Sequence, residues 1–223
     1  MKKTILSLSL ILFATLGFSQ ILKPVKIDSV VTVSLPANFT KKDTLGQQIY
    51  QATASLGYIV VIKAQNAANN KPLNKEKDLK NVFKTFAEGI RKQSRNGSIM
   101  NPRDTTIGPL EARIFTLRVD NSGSTGEAPQ LRRFILLYTQ EATYTFEYFY
   151  PEARADLATP ELKEFSNSIK VSDVNRKDQY LSNAKGMSTP VKIGLFGGVP
   201  LIIIIAVVAS IRRKKRLAEE AQY

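Results

Sequence analysis

The chain has 223 residues, enough for one globular domain once export and membrane segments are set aside. It carries 32 Lys and Arg against 19 Asp and Glu, a formal net charge of +13, and contains neither Cys nor His. Disulfides, thiol nucleophiles, thiolate metal sites and imidazole bases or ligands are therefore excluded, and with them the Ser-His-Asp, Cys-His and His-rich zinc arrangements.

At the amino terminus, Lys2 and Lys3 precede an apolar stretch over 5–18, and Gly17 and Ser19 put small residues before Gln20. This layout predicts a signal peptide over 1–19. Residues 20–190 keep 24 Lys and Arg against 17 Asp and Glu, so the exported part is itself basic. Such a balance suits acidic partners or an anionic lipid surface. Nucleic acid is not expected, because an exported domain does not meet it.

The segment 30–35, VVTVSL, is β-branched and stops at Pro36-Ala37-Asn38, which predicts a strand and a turn. A weaker strand is expected over 47–54 and a strong one over 58–64, YIVVIKA, followed by a polar loop at 66–74. Residues 75–95 read as a long helix. Leu79, Val82, Phe83, Phe86 and Ile90 recur at three- and four-residue spacing and form one apolar stripe. Asn74 is the expected cap and Asn96-Gly97 the expected stop. Lys77, Lys80, Lys84, Arg91 and Arg95 lie off the stripe. They form either a basic docking face or an ordinary solvated surface, and Glu88 among them favours the second.

A loop is expected over 98–108, around Pro102, and a strand over 110–119, with Arg113, Phe115, Leu117 and Val119 on one face. After the turn-rich segment 120–129, the strands 131–139 and 142–150 form a hairpin turning at Gln140-Glu141. Tyr144, Phe146, Tyr148 and Tyr150 alternate onto one face, as a binding platform or, more simply, as sheet core under a helix. A short helix over 160–168, capped by Thr159, points Leu162, Phe165 and Ile169 inward. The expected fold is α+β: a largely antiparallel sheet of about six strands with one long and one short helix packed on it.

This exported domain, 20–170, is followed by a polar stalk over 171–192 and then by the uncharged stretch 193–211, IGLFGGVPLIIIIAVVASI. At 1.5 Å per residue, that stretch nearly spans a bilayer core of roughly 30 Å. Arg212, Arg213, Lys214, Lys215 and Arg216 follow directly and hold the tail 212–223 in the cytoplasm. The expectation is a single-pass type I cell-membrane protein with its amino-terminal domain outside. Gly194 and Gly198 form a GxxxG step, with which the membrane helix can pack into a homodimer.

Several segments together resemble the PsbP-like fold, the group of the photosystem II extrinsic protein and the DcrB-type periplasmic lipoproteins. They are VSLPANF at 33–39, the amphipathic helix after the third strand, IGPLEARIFTL at 107–117, the hairpin LRRFILLYT/ATYTFEYFY and EFSNSIKV at 164–171. The resemblance covers 28–171. It implies an extracytoplasmic accessory or binding module without a shared catalytic constellation. The chain departs from the lipoproteins in lacking a lipobox Cys, its anchor being the carboxy-terminal helix instead.

The acidic residues Asp104, Glu111, Asp120, Glu127, Glu141, Glu147, Glu152 and Asp156 are scattered, without EF-hand spacing, and no GxxxxGK[ST] or GxGxxG loop occurs. No catalytic, metal or cofactor-binding residue is assigned, and no cofactor is expected. The expected function is a non-enzymatic module that binds a protein partner or supports an envelope assembly. The alternative is a domain that binds a small ligand or lipid in a pocket between sheet and helix, motivated by the aromatic hairpin. Least favoured is a carboxylate-dependent hydrolase, which needs two acidic side chains to converge in space.

Overall fold

A computed structural model describes residues 22–67, 73–94, 96–120, 123, 126 and 128–179. The expected signal peptide, the membrane segment with Gly194 and Gly198, and the basic cluster Arg212–Arg216 lie outside these residues. No helix among the described residues is long and apolar enough to cross a membrane.

The elements in chain order are β1 (Leu22–Lys26), β2 (Val31–Pro36), β3 (Thr40–Thr44), β4 (Gln47–Thr53), β5 (Tyr58–Gln65), α1 (Glu76–Gln93), β6 (Gly97–Ile107), β7 (Leu110–Val119), β8 (Gln130–Tyr138), β9 (Ala142–Pro151), α2 (Ala155–Ser168) and β10 (Lys170–Val171). The fold is α+β, and its strand pairings are antiparallel. Instead of about six strands in one sheet there are ten among the described residues, in two sheets. A large sheet runs β3-β4-β5-β9-β8-β7-β6 and a small one runs β1-β2-β10.

Alternation along the strands gives the large sheet two apolar faces. On one face, Ile59, Val61, Tyr144, Phe146 and Tyr148 pack with α2 and with Val31, Val33 and Leu35 of the small sheet. The row from Tyr144 to Tyr150 is thus core beneath a helix. On the other face, Phe115, Leu117, Val119, Phe134 and Leu136 meet the stripe of α1, where Leu79, Phe83 and Ala87 are buried and Val82, Phe86 and Ile90 flank them. The Phe115 and Phe134 rings stack with centroids 4.9 Å apart.

Several local expectations are corrected. The segment 98–108 is not a loop but most of β6. As the edge strand, β6 tolerates Pro102 at a bulge between Met100 and Arg103, where Asn101 takes a left-handed φ of 50°. Asn74 does not cap α1. Lys75 occupies the cap position, and its amide donates to the Asp78 carboxylate at 3.0 Å. α2 starts at Ala155, after a short 3-10 turn at Glu152–Arg154, so Pro160 lies inside the helix. There it removes one hydrogen bond, and the Thr159 hydroxyl, rather than capping, donates to the Ala155 carbonyl at 2.9 Å. The chain after α2 also stays with the domain as far as Gln179. The Gln179 side-chain amide donates to the Glu111 and Tyr138 carbonyls at 2.7 and 3.0 Å, and its oxygen accepts from the Glu111 amide at 2.9 Å. It extends the β7–β8 ladder past the Ala112–Leu137 pair.

Candidate functional site

One carboxylate does much to set where α2 lies on the sheet. Glu161 accepts from the Ser55 and Leu56 amides at 2.8 and 3.0 Å and from the Tyr148 hydroxyl at 2.6 Å. It ties the helix to the β4–β5 turn and to β9 together. Burial pushes the Tyr148 hydroxyl pKa up, and the bond to Glu161 pushes it further. Next to these bonds, Phe165 packs on the Tyr148 ring at 6.2 Å.

Between α2 and the β6–β7–β8 part of the sheet lies a cleft of about 470 Å³. This is within the range of small-molecule sites. The registers explain its lining. Arg103 pairs with Ile114, Ile107 with Leu110, and Ile114 with Ile135, which places these side chains on the α2 face, along with Thr105 and Arg133 at two-residue spacing. Ile107, Ile114, Ile135 and Leu162 are the apolar part of the lining. Arg103, Arg133 and Lys163 are its charged part, and none of the lining residues is acidic. Arg133 is partly buried. Burial lowers its pKa, the neighbouring Arg103 charge lowers it too, and the Tyr150 hydroxyl opposes both. The Arg133 Nε is buried without a hydrogen-bond acceptor.

A second cleft, of about 390 Å³, lies between the β1–β2 turn and the β8–β9 turn. Asp28 and Glu141 both line it. Asp28 is already engaged: one carboxylate oxygen accepts from the Val30 and Val31 amides at 2.8 Å each, and the other meets Lys63 Nζ at 2.6 Å and the Tyr144 hydroxyl at 2.7 Å. Burial alone would raise its pKa, but the bonds from Lys63, Tyr144, Val31 and Val30 outweigh burial and hold the carboxyl below its usual value. An acid held this firmly in its ionised form is suited to fixing the turn rather than to giving up a proton.

Glu147 sits on the opposite face of the sheet, in register with Val60 and Phe134. Burial raises its pKa to about 7, partly offset by Arg132. The Arg132 guanidinium itself lies 4.9 Å from the centre of the Phe149 ring.

Several of the other residues picked out from the sequence have local partners, while Arg95 and Glu127 lie outside the described residues. On α1, Lys80 pairs with Glu76 at 2.8 Å and Arg91 with Glu88 at 2.9 Å, the pattern of a solvated helix surface. Asp104 pairs with Arg113 at 2.8 Å and Glu152 with Arg118 at 2.8 Å. Among the described residues, no group of three or more acidic side chains is placed to hold a metal ion. The three cations of the large cleft were not singled out by sequence reasoning. Arg103 falls in a segment read as loop and Lys163 on a helix surface. The one available signal was the Arg132-Arg133 pair inside an otherwise apolar strand.

No protein-family model and no curated protein matches the chain. Among solved structures, the chain is similar to PA94 from Pseudomonas aeruginosa, a protein of unknown function described as a candidate regulator. The similarity covers 64% of this chain and 91% of that one, at 11% identity and a TM-score of 0.40, a level that carries no functional argument.

Proposed function

We propose that the chain is a single-pass membrane protein whose exported, PsbP-like domain binds a small ligand or lipid between α2 and the large sheet, without catalysing a reaction. One observation carries this reading. The sheet–helix interface is not filled along its whole length but leaves a cleft of about 470 Å³, with an apolar side and a charged side. The engagement of Asp28 with Lys63, Tyr144 and two amides weighs against a carboxylate-dependent hydrolase. A protein partner in an envelope assembly is the other binding reading that the sequence allows. The ligand reading is preferred because the distinctive surface is concave and of small-molecule size.

The test is to isolate the full chain from alkali-washed membranes in a neutral detergent and identify co-purifying small molecules by mass spectrometry. The expected result is retention in the washed membranes and a reproducible bound molecule that is lost in Thr105→Trp, which fills the cleft from its edge. Release of the chain into the wash contradicts the anchor. A bound molecule that Thr105→Trp leaves in place, or none at all, contradicts the site.

A further inference from the structure

The chemistry of the large cleft narrows its ligand. Three cations from separate parts of the chain, Arg103 on β6, Arg133 on β8 and Lys163 on α2, line one opening that contains no carboxylate. Elsewhere in the described residues, lysines and arginines often have acidic neighbours: Lys63 has Asp28, Lys80 has Glu76, Arg113 has Asp104 and Arg118 has Glu152. Arg103 and Arg133 are close enough to repel each other; Arg133 bonds the Tyr150 hydroxyl, and its Nε, like those of Arg113 and Arg132, is buried without an acceptor. Arg133 is the partly desolvated member of the three, and placing the Arg103 charge beside it is unfavourable in a way that a bound anion would offset.

The kind of anion follows from the number and shape of the donors. Two planar guanidinium forks and one ammonium match a tetrahedral oxyanion of more than one negative charge better than a single carboxylate. The hydroxyls of Thr159 and Ser166 already donate to helix carbonyls, at 2.9 and 2.7 Å, so the arginines and Lys163 are the charged donors, with Thr105, Thr106 and Asn167 as neutral polar neighbours in the lining. Beside them lie the branched side chains of Ile107, Ile114 and Ile135. A free inorganic ion would leave these apolar surfaces uncovered, whereas a ligand with an apolar portion would cover them.

We propose that the cleft binds the phosphoryl group of an amphiphilic ligand, with the anion among Arg103, Arg133 and Lys163 and the apolar portion over Ile107, Ile114 and Ile135. This rests on the ligand-binding reading above and specifies its ligand class. The lipid headgroup and the free phosphate share the same anion chemistry, and the apolar surface selects the first.

The test uses the full chain in a neutral steroid detergent, titrated by calorimetry with decyl phosphate, decanol and inorganic phosphate. Decyl phosphate is expected to bind about tenfold or more tightly than either of the others. Arg103→Gln and Lys163→Gln are each expected to weaken it several-fold and together about tenfold or more, while Lys77→Gln on α1 has no effect. Both cleft residues are exposed, so the variants keep the fold, which unfolding midpoints verify. If decanol binds as tightly as decyl phosphate, or the double variant binds like the parent chain, the phosphoryl assignment is overturned and the ligand-binding reading stands. If inorganic phosphate binds as tightly as decyl phosphate, the amphiphile is overturned in favour of free phosphate. If none of the three binds and no molecule co-purifies with the chain, both readings fall together.

Discussion

Asp28 has four donors around its carboxylate, whereas Glu147 has burial against it and only Arg132 in its favour. The two therefore act on stability in opposite directions. The native pKa of Asp28 lies below its unfolded value, so its contribution is complete above the ordinary carboxylate range and is lost as pH falls through the lowered native value. Glu147 has a native pKa of about 7 against an ordinary 4.5. Its charge costs nothing below about pH 4.5, costs more as pH rises to about 7, and costs the full amount beyond. Glu147→Gln should leave urea-unfolding stability at pH 4 unchanged and raise it at pH 8 by about 1–3 kcal/mol. Parallel pH profiles of the variant and the parent would show that Glu147 titrates normally.

At the scale of elements, α2 is held over the sheet by the bonds of Glu161 together with the burial of Leu162 and Phe165. Glu161→Ala leaves the Ser55 and Leu56 amides and the Tyr148 hydroxyl without their acceptor, at an expected cost of about 2–4 kcal/mol. Hydrogen exchange should speed up at Ser55 and Leu56 in this variant; unchanged exchange there would mean that apolar packing alone holds the helix. The neighbouring turn is equally exacting. A Cβ at Gly57 would collide with the Phe149 carbonyl and the Tyr148 ring.

The elements that could be read from the sequence are those with a buried side. The stripe of α1, the run YIVVIKA of β5 and the β8–β9 hairpin each bury enough apolar surface to impose a local period. The strands that escaped notice are different. β1, LKPVK, and β3, TKKDT, are mostly exposed, and β6 is an edge strand interrupted by Asn101-Pro102. Their extended state comes mainly from backbone pairing with a neighbour, and the short alternation at each end of β6 is interrupted at Asn101-Pro102. β10 has two residues and exists because the chain leaving α2 returns to β2.

For the whole molecule, the sequence shows a basic domain but not where its charge converges. Arg103, Arg133 and Lys163 are far apart in the chain and share a cleft only through the registers of β6, β7 and β8 and the placement of α2. The aromatic row that suggested a pocket lies instead in the core. The sheet–helix pocket of the alternative reading has a geometric counterpart in the cleft beside that row, with isoleucines and cations in its lining. The central claim is that this cleft is the ligand site of the domain. It is tested most directly by the isoleucine methyl NMR signals of the full chain during titration with decyl phosphate. Shifts are expected at Ile107, Ile114 and Ile135, with Ile90 of α1, Ile99 in the cluster beneath that helix, and Ile49 and Ile62 on the far face of the sheet left in place. Shifts at those four residues, or no shift at the first three, would contradict it.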